Sequence, residues 1–480
     1  MAVSQKQEQA REARRKMMLE EPMMRVIPKV AIPMIIASLI DSVYNLVDTL
    51  FVSQLGVDAT AAVAVNDSLM HILRAISMGF AMGASSYISR LLGAKEDDKA
   101  SRVGSSTLFI GIIFSLCFGL TCLTFRSTIV DLLGVTEKAK PYSMDYSFWI
   151  LLAAPFTTAE LIQNQLLRSE GSTTFAMIGM VSGCVLNIGL DPLFINVFHW
   201  GVAGAAGATA LSKVVSAAVL AYPFIRKRTM LDIGLHNFKP DKEGAREVAR
   251  MGVPAFLRMS LMSLGGIITN NVAKQFGSAV LAGISVANKL YRLVASAIMG
   301  FSQGFGPVAG FCYGARRYKR VKEAYFTTIT IGVIAGAILG TLMFIFSRGL
   351  IGLFNSEANE TMYLIGSLKI RALCLVLIPH EIVMITSNLY QSLGRPIGNL
   401  VLSMSRQLIF LIPMVLILPK VFPSFGLPGE YGLAVAQACS DGFACLFLAL
   451  PLAIKMLKQI KLPDGAEPPF VSKKRNARAA

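Results

Sequence analysis

Twelve long apolar stretches constrain this chain more than any other feature. They cover approximately residues 28–53, 62–89, 104–126, 143–166, 174–196, 202–225, 249–275, 281–310, 325–347, 366–391, 397–420 and 431–455. Each exceeds the roughly 20 residues that a helix needs to cross a bilayer. Short charged connectors separate them. In lipid, every backbone N–H and C=O must find its partner within its own segment, so helices are the expected form. The apolar/polar alternation of a barrel strand is absent, and the runs are too long for one. Composition agrees: 54% of the 480 residues are apolar and only 16% are charged, against about 25% charged in a soluble chain. The fold class predicted is an all-α membrane protein with twelve transmembrane helices.

The net charge of +17 is of the size that nucleic-acid binding would require, but its placement argues otherwise. Arg11, Arg14, Arg15 and Lys16 precede the first apolar stretch. Lys95, Lys99 and Arg102, the run from Arg226 to Arg250, Arg316 to Lys322, and the tail from Lys455 to Arg478 all fall on the same side of the membrane. The other side holds little beyond Arg126, Lys138, Lys140, Lys274, Arg348, Lys369, Arg371 and Lys420. This asymmetry is the positive-inside bias, and it predicts both termini in the cytoplasm of a multi-pass protein of the cell (inner) membrane. The basic segments are read as topology signals and contacts to membrane lipids, not as a nucleic-acid surface. The segment from Met1 to Arg25 lacks the continuous apolar core of a signal peptide and is expected to form a short amphipathic surface helix. The seven cysteines make no CxxC pair and nearly all lie within apolar stretches, as small packing residues do.

The chain repeats itself. Laid over its own second half so that Pro33 falls on Pro254, it also brings Gln54 onto Gln275 and Gly56 onto Gly277. In the same register Met78-Gly79-Phe80 falls on Met299-Gly300-Phe301, Gly83 on Gly304 and Gly93-Ala94 on Gly314-Ala315. Between Pro33 and Ala94 there are 13 identities in 62 positions. Farther along, small insertions shift the register, and Ser169 and Gly171 fall on Ser392 and Gly394. An even number of spans returns the chain to its starting side, so the halves form two parallel six-helix bundles. Such a repeat places a pseudo-two-fold axis along the membrane normal, with a cavity between the halves. The organisation expected is a basic cytoplasmic segment over 1–25, an N-lobe over 26–225, a basic linker over 226–248, a C-lobe over 249–457 and a basic tail over 458–480. The pairs Gly79/Gly83 and Gly300/Gly304 are spaced for close helix packing. Gly300-Phe301-Ser302-Gln303-Gly304 matches G-x-S-x-G, but no strand precedes it and its repeat partner carries Ala81 in place of Ser302. Ser302 is therefore read as a packing residue.

Ionisable side chains at bilayer depth cost about 2.5–3.5 kcal/mol on insertion scales and so face a cavity or a partner. Asp41 and Asp48 lie seven residues apart in the first span, on one helix face. Asn187 and Asp191 lie four apart in the fifth. Glu160, with Gln163 and Asn164 a turn on, is in the fourth span, and Thr209 is in the sixth. Together they suggest an acidic pocket inside the first bundle. Carboxylates brought together there are suited to carrying a proton, and the same carboxylates, amide and hydroxyl are hard oxygen ligands equally suited to sodium. The alternative for Asp48 and Asp191 is a helix-capping role near the outer face, and Pro192 makes a helix end or kink plausible there. The second half holds Arg258, Lys289, Arg292, His380, Glu381, Arg406 and Asp441, which make it the more cationic lobe. Glu381 is expected to pair with a basic neighbour, and His380 is a candidate proton carrier or a packing residue.

These residues carry a resemblance. Val47-Asp48-Thr49 followed by Leu55-Gly56, the run from Gly83 to Ala94, Leu167-Arg168-Ser169-Glu170-Gly171, Leu186-Asn187-Ile188-Gly189-Leu190-Asp191-Pro192, Gly204-Ala205-Ala206-Gly207-Ala208-Thr209 and Gly252-Val253-Pro254-Ala255-Phe256 together resemble the multidrug and toxic compound extrusion family, in its MepA-like bacterial branch. The resemblance runs from Arg25 to about Leu457. It implies two six-helix bundles forming a V-shaped central cavity, and export of amphipathic organic compounds in exchange for H+ or Na+ by rocking of the bundles. It also implies that Asp48, Asn187, Asp191 and Thr209 form the cation-coupling site, and a metal site if the ion is sodium. No cofactor is expected beyond the transmembrane gradient. Asp41, Glu160, Gln163, Arg258, His380 and Glu381 are the further candidates for lining a substrate cavity. NorM-type relatives carry a seventh-span Glu, and this chain has Arg258 in that span.

Two other readings compete. A flippase or exporter of a lipid-linked or anionic substrate, from the same superfamily, draws on Arg258, Lys289, Arg292 and Arg406. A membrane-embedded enzyme would need a nucleophile with its base or a metal cluster. No H-E-x-x-H is present, and His71, His199, His236 and His380 are scattered. A secondary transporter, monomeric and acting on small organic molecules, is the expectation.

Overall fold

The computed structural model describes residues 2–352, 360–460 and 462–466. Among these, the chain is helical with no strand. In the first half the helices are α1 (Ala2–Glu20), α2 (Met23–Ser53), α3 (Val57–Gly93), α4 (Asp97–Thr124), α5 (Arg126–Leu132), α6 (Lys140–Leu152), α7 (Ala154–Ser169), α8 (Thr173–Pro192) and α9 (Gly201–Ile225). In the second they are α10 (Lys242–Lys274), α11 (Ser278–Gly314), α12 (Tyr318–Ile345), α13 (Ser347–Gly352), α14 (Glu360–Leu375), α15 (Leu377–Ser392), α16 (Pro396–Met404), α17 (Ile412–Val421), α18 (Gly429–Ala444) and α19 (Leu450–Gln459). Most of the basic tail expected over 458–480 lies outside the described residues.

All twelve apolar stretches fall on helices. Among the described residues, eight spans are long and apolar enough by themselves to cross a membrane, and α14 with α15, bent by 53°, makes a ninth. The other three have visible causes. Helices α3 and α11 are 37 residues each, but charges such as Asp67, Arg74, Lys289 and Arg292 interrupt their apolar runs. The fourth stretch breaks at Ala153 into α6 and α7, of 13 and 16 residues, with Pro155 in the first turn of α7. Proline suits a first turn because its missing N–H has no partner to lose there.

The repeat reappears as geometry. Helices α3 and α11 have equal length, and their first residues, Val57 and Ser278, superpose in the register that puts Pro33 on Pro254. The 28-residue α4 and α12 begin at Asp97 and Tyr318, in the same register. Gly56 and Gly277 precede the equivalent helices with φ of 103° and 100°, a backbone that favours glycine. Lys95 and Arg316 hold left-handed turns at φ 63° and 58°. The 16-residue α7 and α15 end at Ser169 and Ser392, the pair matched by the shifted register.

By contacts the chain divides into unit 1, residues 1–21 and 32–256, and unit 2, residues 22–31 and 257–480. In unit 1, α7 packs against α3, α4 and α9, and α8 packs against α9. Val52, Val63, Met70, Ile150, Ile195 and Ala206 form part of its buried core. In unit 2, α11 packs against α12, α14 and α15, and Leu290, Ile370 and Leu373 are buried together. The second glycine of each pair acts as the spacing implied. A Cβ on Gly83 would overlap the Val248 carbonyl oxygen, and one on Gly304 would sit 2.8 Å from the Ala31 Cα. Only glycine allows backbones this close.

The expected N-terminal surface helix is present as α1, and it is tied down. Its Arg15 grips both Asp97 oxygens at 2.6 and 2.7 Å. Arg11 and Arg14 donate to the carbonyls of Met230 and Arg228. Arg14 also reaches Glu170, at 3.2 Å. Glu170 is fully buried and accepts from the backbone N–H groups of Met230 (2.6 Å) and Leu231 (3.1 Å) and from the Ser172 hydroxyl.

Candidate functional site

A buried polar cluster of unit 1 is built by α2, α3, α8 and α9. Pro192 supplies no N–H, so helix α8 gives way after it to a π-turn over Leu193–Val197. Asp191, just before this break, is 0% exposed, and Asn187 one turn earlier is 1% exposed. The Asn187 amide donates to Asp191 Oδ2 at 2.9 Å, and its oxygen accepts from the Thr209 backbone N–H at 3.1 Å. Thr209 is buried on α9, and its side chain neighbours Tyr44 of α2. Asp48, one turn beyond Tyr44, lies within electrostatic range of Asp191. The four residues of the expected coupling site are thus together in one bundle. Two carboxylates, one amide and two hydroxyls make an oxygen-rich site fit for a proton or an alkali cation. Among the described residues, no three His, Cys, Asp or Glu side chains gather as a transition-metal site would require.

The pocket is less purely acidic than the sequence suggested. Arg74 projects from α3 among Asp41, Tyr44, Glu160 and Asp67. Asp67 in turn neighbours Asp48. Lys213 on α9 pairs with Glu160 on α7 at 2.9 Å, and Ser216 donates to the same carboxylate at 3.0 Å. Asp67, Arg74 and Lys213 escaped the sequence reading, although each is a charge within an apolar stretch and was visible as such. Gln163 is 7% exposed, with an unpartnered Oε1. Asn164 donates to the Ala176 carbonyl at 2.9 Å, joining α7 to α8.

Unit 2 holds a second polar cluster, and it corrects an expectation. Glu381 does not pair with a base among the described residues. It accepts from the Ser302 hydroxyl at 2.9 Å, so Ser302 does more than pack, and its other oxygen has no hydrogen bond. The buried ion pair is Arg406 with Asp441 instead, at 2.5 Å. His380 Nδ1 lies 3.3 Å from both Asp441 Oδ2 and the Tyr291 hydroxyl. The pair has a local cause. Residues Ser405–Leu411 form a π-turn, and Ser440 donates to the Arg406 carbonyl at 2.7 Å, tying the turn to α18. Arg258, half-buried on α10, lies within electrostatic range of Arg406.

The MatE family profile matches residues 33–193 and again 254–417. The two matches start at Pro33 and Pro254, the same two prolines that the internal repeat superposes. This chain belongs to the MatE family. The multidrug export protein MepA of Staphylococcus haemolyticus is 26% identical over 449 residues, covering 93% of this chain and 97% of that protein. A solved outward-facing multidrug resistance MATE family transporter of the MOP superfamily superposes with a TM-score of 0.86 at 27% identity, over 92% of this chain and 98% of the other. A MOP superfamily transporter from Pyrococcus furiosus, for which a reversed polarity of the binding pocket suggests a different function, has the same TM-score and identity over 94% and 99%. The protein is a MepA-like MatE transporter and not an enzyme.

Proposed function

We propose that this MatE protein exports amphipathic organic compounds in exchange for an inward-moving cation bound in unit 1. The observation that carries this reading is Asp191: a fully buried carboxylate held by Asn187, which is itself held by Thr209, with Asp48 as its electrostatic neighbour. A permanently ionised pair of carboxylates at this depth is costly. Binding a proton or Na+ relieves that cost, and release of the ion restores it. A site whose charge alternates in this way drives a two-state transporter when the ion has different affinity for the two states. In this reading the bundles rock between those states, the protein acts as a monomer, and both termini lie in the cytoplasm of the inner membrane. Its similarity to multidrug export proteins supports organic compounds as the cargo.

The deciding experiment is ethidium efflux from proteoliposomes, with a proton or a sodium gradient imposed separately. Efflux under one gradient alone supports the antiport reading and identifies the ion. No movement of any compound in a broad dye panel under either gradient overturns it. Arg258 beside Arg406 favours a second reading, export of an anionic or lipid-linked substrate. That reading expects transport of anionic compounds and none of cationic dyes.

A further inference from the structure

We propose that unit 1 carries a binding site for one acyl chain of an inner-leaflet anionic phospholipid, apart from the Asp191 cluster. The site is a cavity of about 370 Å³ between α3, α4 and the first half of α10. Its walls include Phe80, Val103, Ile110, Val253 and Phe256. Apart from Asp241 at one end and the Ser106 and Thr107 hydroxyls, the lining is apolar.

The packing of glycines creates the cavity. Gly83 meets the backbone of Val248, and a Cβ on Gly252 would overlap the Gly79 carbonyl oxygen. Helices α3 and α10 therefore touch backbone to backbone, and no side chain fills the wedge left towards α4. The depth suits one leaflet. The wall on α10 runs from Gly244 to Phe256, which is about 18 Å at 1.5 Å per residue. Half of a hydrocarbon core of about 30 Å is about 15 Å. Asp241, whose carboxylate accepts from the Gly244 N–H at 3.0 Å, marks the end where the basic linker enters the membrane.

Charge at that end selects an anionic headgroup. Of the acids there, Glu243 pairs with Lys99, Glu247 pairs with Arg90 and Arg250, and Asp241 accepts from the Gly244 N–H. Arg102, Lys242 and Arg246 are exposed and carry no ion pair among the described residues. Each cation placed near the lipid surface attracts anionic headgroups. An apolar slot one leaflet deep, with three available cations at its cytoplasmic rim, matches a lipid with a negatively charged phosphate head.

The test is native mass spectrometry of the full-length transporter in detergent, with phosphatidylglycerol or phosphatidylcholine added in turn. The wild-type protein should retain one phosphatidylglycerol per chain, in preference to phosphatidylcholine by about tenfold. Two variants separately fill the slot, A249W and V253W; either should lose the retained lipid while staying monodisperse on size exclusion. The triple variant R102Q/K242Q/R246Q should bind the two lipids equally. An Asp191→Asn protein should keep the lipid, because this site does not rest on the transport reading. Retained phosphatidylglycerol in both monodisperse tryptophan variants overturns the proposal. So does displacement of the lipid by ethidium, which would make the slot an entry for transported compounds.

Discussion

The residues that matter most divide by how they announce themselves. Asp48, Asn187 and Asp191 stood out as a candidate site because a carboxylate or amide inside an apolar run is rare and costly, whereas Thr209 entered through the family resemblance. The spacing of Asn187 and Asp191 also put them on one helix face. Replacing Asp191 or Asp48 with Asn removes the charge while keeping the shape. Both variants should remain folded and lose coupled efflux entirely, measured as dye movement in the proteoliposome assay beside a size-exclusion profile. Wild-type efflux in both would remove them from the coupling role. Lys213 was less legible because one lysine in a span does not reveal its partner. In the structure it neutralises Glu160 at 2.9 Å, with both side chains largely buried. Lys213→Ala removes the ion pair of that buried carboxylate, leaving it the Ser216 hydroxyl and the more distant Arg74, and should destabilise the protein by about 2 kcal/mol. The double variant K213M/E160Q should recover most of the loss, as read by thermal unfolding in detergent.

At the scale of helices, glycine and proline positions did most of the specifying. Gly56 and Gly277 set the same positive-φ entry into two equivalent helices. Gly83 brings α3 against α10 so closely that any side chain meets backbone, which cannot move aside as a flexible side chain would. Gly83→Val should therefore abolish the folded monodisperse protein. Gly189→Ala, where a Cβ meets nothing within 4 Å, should shift the melting temperature by no more than a degree or two. The π-turns at Leu193–Val197, Ser405–Leu411 and Cys445–Ala449 were not legible, although Asp191-Pro192 marked the first. A π-turn adds one residue within an otherwise helical pattern, and the apolar period is too coarse to show it. The docking of α1 was equally hidden. Its sequence is that of a solvated amphipathic helix, and its partners Asp97, Glu170 and the 228–231 backbone are all distant along the chain.

For the molecule as a whole, the duplication is the organising fact. One family profile fits both halves at the shift that identities alone revealed, and the helix lengths repeat with it. The two units have nevertheless diverged in their polar interiors. Unit 1 keeps an acid-rich cluster with Arg74 and Lys213 among it, whereas unit 2 buries Arg406 against Asp441 and His380. An ion gradient acting through unit 1 alone predicts that His380→Gln lowers efflux less than tenfold while Asp191→Asn abolishes it, measured in the same liposomes under the same imposed gradient.

The sequence by itself determined the helices, the gathering of basic residues in connectors and tails, and the doubling of the chain. Those properties follow from hydropathy, charge placement and periodicity, which are local or additive along the chain. Only the tertiary structure decided which polar residues meet across helices: Asn187 with Thr209, Lys213 with Glu160, Ser302 with Glu381, Arg406 with Asp441, and α1 with the loops around Glu170. A pairing between helices depends on crossing angle, rotation and axial offset. Small residues and helix breaks set these within the packed bundle, and no one-dimensional pattern records them.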